Sequence, residues 1–239
     1  MTWGIIPAAG NGTRIQPLAF SKELLPVGGE DRPKAVSEFL VERMERAGAT
    51  KLVFVISPGK SDIVEYYGKR PRPEAAVAYV VQPEPVGLCD ALFRAAPLVH
   101  PSEDVIIGLP DTIWFPEDAL CALPLDRLAF LLFPVTDPSK FDAVLCDASG
   151  CVQQIQVKQA NPGTPWIWGA FRMPGGVFHE LHAFWRVRPH PHEYVGTLVN
   201  AWLAQGGEAV GVEAGTSYVD VGTMPGWQRA MRDLGAAAK

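Results

Sequence analysis

Residues 4–14 read GIIPAAGNGTR, an apolar run that breaks into small residues and two glycines, Gly10 and Gly12, and closes on the cation Arg14. A strand running into such a turn leaves consecutive backbone N–H groups free of bulky side chains. With a permanent positive charge at its end, the turn can wrap phosphate oxygens. Two better-known phosphate loops do not fit. The dinucleotide fingerprint needs a third glycine for close helix–strand packing, and position 15 is Ile. The Walker loop needs Lys-Ser or Lys-Thr directly after its last glycine, and neither Gly10 nor Gly12 is followed by one. A plain strand–loop turn with a solvated arginine has the same letters, and the turn alone does not choose.

Histidine and cysteine chemistry finds less support. HELH at 179–182 is one residue short of the H-E-x-x-H zinc pattern, and His190 and His192 flank a proline, so the five histidines read as surface or loop residues. Cys89, Cys121, Cys146 and Cys151 form no C-x-x-C pair and lack the density of a disulfide scaffold; they read as reduced, buried thiols.

The elements that must position the turn alternate. Met1 to Ala8 reads as a buried strand led by Ile5 and Ile6. After Pro33, the residues Val36, Phe39, Leu40, Met44 and Ala47 share one helical face, and Gly48 stands where that helix stops. KLVFVIS (51–57), AVAYVVQ (76–82) and DVIIGLP (104–110) are further apolar strands, with helical patterns through 63–67 and 87–96 between them. Strands alternating with helices at this spacing predict a parallel sheet covered on both faces. After about residue 125 the rhythm changes to the strand-like LAFLLFPV, FDAVLCD, CVQQIQV and WIWGAFRM, with fewer helices between them. Helical patterns at 175–185 and 193–206, the strand TSYVDVG and a final helix complete the chain.

Bulk composition narrows the partners. The 239 residues are 48% hydrophobic and 20% charged, an ordinary globular balance. A formal net charge of −5 gives nucleic acid no general attraction, so a phosphorylated ligand must be drawn by local cations, backbone N–H groups or a metal. No apolar run approaches the roughly 18–20 residues that cross a bilayer, and the N-terminus lacks a secretory pattern. The expectation is a reduced, cytoplasmic protein with neither membrane nor nucleic-acid partner.

One further stretch makes the first specific. GTRIQPLAFSKELLPV (12–27) carries Arg14, Pro17 and Lys22 in close order. Together with IIPAAGNGTR it resembles the signature of the sugar-1-phosphate nucleotidyltransferases, and within them the glucose-1-phosphate thymidylyltransferases and uridylyltransferases. QPEPVGLCDAL (82–92), VIIGLPDT (105–112) and YVDVGT (218–223) continue the resemblance in order. It implies a three-layer α/β/α, Rossmann-like nucleotide-diphospho-sugar transferase fold with a central mixed, mostly parallel sheet. It further implies one domain over 1–239, with a nucleotide-binding half at 1–125 and a sugar-binding half at 126–239.

By the same resemblance, Ala8, Ala9, Gly10 and Gly12 hold the nucleotide through their backbone, while Arg14 and Lys22 are the catalytic cations on its phosphates. Gln82 and Gly87 read a uracil or thymine, a role that suits an amide carrying both a donor and an acceptor. Asp111 and Asp220 are the magnesium ligands. Both close predicted strands, and open parallel sheets bind ligands beyond that edge; magnesium takes one or two carboxylates plus phosphates and water. Lys158 grips the sugar phosphate, with Gly169 and Glu193 beside the sugar.

The implied reaction joins UTP or dTTP to a sugar-1-phosphate, a hexose such as glucose-1-phosphate, and releases pyrophosphate. The attacking phosphate is already ionised at neutral pH, so alignment and charge neutralisation suffice. One departure stands out: the family's Glu-Lys-Pro becomes Val157-Lys158-Gln159, without the acid. That loss motivates a rival reading, a weak or inactive nucleotide-sugar sensor on the same fold. A nicotinamide-dependent oxidoreductase is a second rival, opposed by Ile15. Oligomeric state is left open.

Overall fold

The computed structural model describes residues 1–28, 33–70, 72, 75–188 and 194–237. The first half runs β1 (Thr2–Pro7), β2 (Pro26–Val27), β3 (Lys34–Ala35), α1 (Val36–Arg46), β4 (Ala49–Ile56) and α2 (Ser61–Gly68). It continues through β5 (Ala76–Val81), α3 (Leu88–Phe93), β6 (Asp104–Gly108) and β7 (Thr112–Phe115). The second half has β8 (Leu128–Pro134), β9 (Asp142–Cys146), β10 (Val152–Val157), β11 (Trp166–Pro174) and α4 (Gly175–Arg186). It ends with α5 (Val195–Leu203), β12 (Ala209–Val212), β13 (Ser217–Asp220) and α6 (Met224–Ala237).

Nine strands form one sheet, ordered β10-β9-β11-β6-β1-β4-β5, with β8 paired to β11 and β12. β6, β1, β4 and β5 are mutually parallel, as their helix-linked apolar runs predict. β11 pairs antiparallel with β6, β8 and β9, while β12 pairs parallel to β8. The change of rhythm after residue 125 is therefore a change of strand direction within one continuous sheet.

Helix α1 lies tightly on that sheet because two strands offer no side chain beneath it. A Cβ on Gly4 would stand 2.7 Å from Met44 Sδ, and one on Gly108 would stand 2.5 Å from Leu40 Cδ1. The edge strand β10 is closed from outside: Asn200 on α5 accepts from Ile155 N at 2.7 Å and donates to Ile155 O at 2.8 Å, as a further strand would.

β7 and β13 pair antiparallel as a separate ribbon, with Asp220 opposite Thr112. Buried Arg43 fastens β7 to α1 by donating from Nε and Nη2 to the Trp114 carbonyl at 3.0 and 2.6 Å. Beneath the ribbon, Ile15, Val36, Phe39, Ile113 and Val221 share a small core. Ile15, which fills the place of the third fingerprint glycine, is thus a core residue rather than part of a phosphate loop.

Two short strands were not legible in the chain. β7 is a four-residue strand between two prolines, and β12 is a four-residue strand interrupted by Gly211, each too short for a periodic signal. Of the cysteines expected to be buried, only Cys89 is; Cys121 and Cys151 are exposed and Cys146 is intermediate. Cys121 lies in a short turn and Cys151 in a tight hairpin, where little packs over a thiol. Of the 193–206 pattern, whose first position lies outside the described residues, the second helix of the C-terminal half takes Val195–Leu203.

Candidate functional site

A cleft of about 600 Å³ opens across the carboxyl ends of β1, β5 and β6, within the roughly 300–1,000 Å³ typical of small-ligand sites. Ala9, Gly10, Arg14, Lys22, Gln82, Gly87, Asp111, Lys158 and Asp220 all line it. Half of the residues lining it are thus ones that the sequence singled out. Ala8 and Gly12 lie behind it instead. The Ala8 carbonyl accepts from Lys60 Nζ at 2.6 Å. Gly12 holds φ at 61°, and a Cβ there would stand 2.8 Å from Lys22 Cδ. Its missing side chain is the space in which the lysine stem lies along the turn.

Two ion pairs dominate one end of the cleft. Lys22 Nζ donates to Asp111 Oδ2 at 2.6 Å, and Arg14 Nη1 donates to Asp220 Oδ2 at 2.7 Å. Burial alone would raise the Asp111 carboxyl, but the charge and hydrogen bond of Lys22 hold it below its usual range. Burial likewise opposes the charge on Lys22, yet Asp111 and Glu23 keep its pKa above the ordinary lysine value. Arg14 follows the same pattern through Asp220. Arg14, Lys22 and Asp111 are thus charged at neutral pH, and each cation is parked on a carboxylate.

The ribbon brings the aspartates together. Val221 N donates to the Asp111 carbonyl at 2.8 Å, and Gly222 N donates to Asp220 Oδ1 at 2.9 Å. A Cβ on Gly222 would meet Asp111 Oδ2 at 2.5 Å, Asp220 Oδ1 at 2.9 Å and Arg14 Nη2 at 3.3 Å. Gly222 is therefore a site residue that the sequence analysis missed; the glycine in YVDVGT was its only signal. Two converging carboxylates are a donor set that fits a hard divalent cation. Among the described residues no group of three or more His, Cys, Asp or Glu could hold a metal. An ion between these two aspartates would share its remaining positions with substrate and water.

The segment bearing Lys22 is bolted down from α2. Lys60 Nζ donates to both carboxylate oxygens of the fully buried Glu23 at 2.8 Å as well as to Ala8. Asp62 accepts from Ser21 N and Ser21 Oγ, each at 2.7 Å. Burial pushes Glu23 up and Lys60 down, as expected of a pair held away from water.

At a second wall, Gln82 follows β5 and is buried, its Nε2 donating to the Gly87 carbonyl at 3.1 Å and to Asp90 Oδ2 at 2.7 Å. With the amide hydrogens committed inward, the amide oxygen is the atom left for a ligand. Gly87 holds φ at 126°, a conformation other residues rarely adopt.

The far end carries Lys158, also in a left-handed conformation with φ 47°. Its Nζ donates to the Lys140 carbonyl at 3.0 Å and lies 3.6 Å from Asp142 Oδ1. Lys140 and Phe141, to which no sequence pattern pointed, line this end too, as does Tyr218 at the head of YVDVGT. Val157 stands directly opposite Asp142 in the β10–β9 pair, so an acid does exist at this level, supplied by the neighbouring strand. Gly169 does not line the cleft. A Cβ there would press on Phe133 and Tyr218 at 2.6 Å, so it gives room to the tyrosine that does. Glu193 lies outside the described residues.

A mixed sheet whose parallel strands end on a glycine turn, paired cations and convergent carboxylates defines an α/β protein of the nucleotide-handling class. The chain belongs to the nucleotidyl transferase family, whose model matches residues 3–236. It is 28% identical over 233 residues to the glucose-1-phosphate thymidylyltransferase of Mycolicibacterium smegmatis, covering 92% of this chain and 77% of that one. It is 30% identical over 164 residues to the bifunctional protein GlmU of Azorhizobium caulinodans, covering 66% of this chain but only 35% of that one. A Bacillus subtilis relative is likewise spanned over only 47% of its length. The fold matches that of the UTP-bound UGPase from Acinetobacter baumannii, with a TM-score of 0.81 at 18% identity, over 100% of this chain and 97% of that one.

Proposed function

We propose that this chain transfers a nucleoside monophosphate from UTP or dTTP to a sugar-1-phosphate, such as glucose-1-phosphate, with release of pyrophosphate. The observation that carries this reading is the meeting of Arg14, Lys22, Asp111 and Asp220 at one end of a cleft whose other end presents Lys158. In this reading residues 1–125 hold the nucleotide and 126–239 hold the sugar phosphate.

The chemistry suits the residues present. The attacking oxygen belongs to the sugar phosphate and needs no base, and among the described residues no histidine lines the cleft. That oxygen bonds to the α-phosphorus in line with the bridge to the β-phosphate, and the bridge breaks as pyrophosphate leaves. Lys22 and Arg14 leave their aspartates to neutralise charge building on the phosphates. A divalent cation, magnesium in our reading, supplies further positive charge when held by Asp111 and Asp220. Gln82 offers its amide oxygen to the ring N–H of uracil or thymine, an edge on which cytosine has no hydrogen. Lys158 takes the sugar phosphate.

No described helix is long and apolar enough to cross a membrane. Together with four free cysteines this supports a cytoplasmic setting. The decisive experiment is pyrophosphate release across a panel of triphosphates and sugar-1-phosphates with magnesium. Turnover with a pyrimidine triphosphate and one hexose-1-phosphate is expected; tight binding of every pair without turnover would replace the enzyme with a sensor.

A further inference from the structure

Asp142 is an expensive residue to leave as it stands. It is 8% exposed, and its Oδ1 has no hydrogen-bond donor among the described residues. A buried carboxylate oxygen without a donor costs free energy that most proteins avoid. Among the described residues its ion-pair partner is Lys158, whose Nζ stands 3.6 Å away, in ion-pair range but beyond a hydrogen bond. Phe141, the residue before it, and Lys158, the cation in front of it, both line the cleft. The oxygen therefore lies one ammonium group behind the ligand space.

The cleft repeats one device. Arg14 is paired with Asp220, Lys22 with Asp111, Lys140 with Asp137 and Lys158 with Asp142. When a phosphate draws a cation away, its carboxylate is freed to take something else. Between Asp111 and Asp220 the freed oxygens converge and suit a cation. Asp142 has Val157, not a second carboxylate, as its cross-strand partner. A lone buried carboxylate next to a phosphate-binding lysine is suited to a neutral donor, and a sugar phosphate carries hydroxyls beside its phosphate.

We propose that Asp142 is the sugar-hydroxyl acceptor of this cleft: Lys158 moves onto the phosphate, and the uncovered Oδ1 accepts a hydrogen bond from one sugar hydroxyl, which makes Asp142 a specificity-determining residue. The proposal rests on the transfer activity proposed above and adds the residue that selects the sugar.

The test compares wild type, Asp142→Asn and Asp142→Ala, using the hexose-1-phosphate that turns over and its monodeoxy analogues. One deoxy analogue should raise the wild-type KM by about tenfold or more, the loss expected for a hydrogen bond to a charged group. In Asp142→Ala that penalty should vanish, because the acceptor is already gone. KM for the triphosphate should stay within about twofold. Asp142→Asn, which keeps an acceptor oxygen in nearly the same shape, should fall between the two. A role limited to steadying Lys158 would shift every sugar phosphate alike and leave the deoxy penalty intact, and that result overturns the proposal. Turnover by wild type with an unchanged deoxy profile in both variants overturns the Asp142 assignment alone; absence of turnover with any pair overturns the activity beneath it as well.

Discussion

Arg14 and Asp220, 206 positions apart in the chain, meet at 2.7 Å, and the neighbouring Lys22–Asp111 pair closes at 2.6 Å. In the proposed reading these cations serve the phosphates and these carboxylates a metal, and the two sets neutralise one another until ligand arrives. The arrangement lets four charges converge without the cost of an unpaired buried ion. Removing one member leaves its partner's charge uncompensated.

If Asp111 holds the cation as proposed, Asp111→Asn should lower kcat on the order of a hundredfold, since it removes that ligand and also releases Lys22. The fold should persist, because Asp111 ties the ribbon through its backbone carbonyl rather than its side chain. Steady-state rates against magnesium concentration, with far-UV circular dichroism as the control, check this; near-normal rates at ordinary magnesium would refute the assignment.

Gly222→Ala tests the convergence itself. The added methyl would stand 2.5 Å from Asp111 Oδ2 and 2.9 Å from Asp220 Oδ1, forcing one carboxylate to move. A displacement of about 1 Å at reacting groups can cost on the order of a hundredfold in rate. The variant should lose kcat by at least about tenfold and need more magnesium, while Tm changes little.

Lys60→Met should be costly in stability. It strands the carboxylate of Glu23, which has no exposure, and removes the donor to the Ala8 carbonyl. Breaking a buried pair from one side costs about 3–5 kcal/mol. Urea denaturation should show a loss of that size, and the Glu23→Gln/Lys60→Met double variant should recover part of it. A loss below about 1 kcal/mol would show that the pair does not hold the turn.

Glu103 is one of the groups that contribute to the acid limb of stability. It accepts from Lys51 Nζ at 2.6 Å, from His100 N at 2.9 Å and from Trp3 Nε1 at 3.0 Å. These bonds, Lys51 first, lower its pKa from 4.5 to about 2. A depressed carboxylate stabilises the fold above its ordinary pKa and loses that contribution as pH falls through the depressed value. Glu103→Gln should cost about 1–2 kcal/mol at pH 7 and flatten the decline between about pH 4 and 2. Denaturation series at several pH values measure both, and an unchanged acid slope would contradict the assignment.

Local chemistry was readable from the chain. An apolar run breaking into Ala8-Ala9-Gly10 must leave amides free, Arg14 and Lys22 lie within one short segment of that turn, and alternating strands and helices predict the parallel half. What no local pattern carries is adjacency across the fold. The antiparallel register of β7 with β13 brings Asp111 to Asp220 and makes Gly222 the gap between them. The β9–β10 register puts Asp142 opposite Val157 and beside Lys158.

Sequence by itself determined which groups could bind phosphate, because free amides and fixed charges depend on near neighbours. Tertiary structure decided which carboxylate faces which cation. That choice is made by burying two sides of a sheet at once, and strands distant in sequence settle it together.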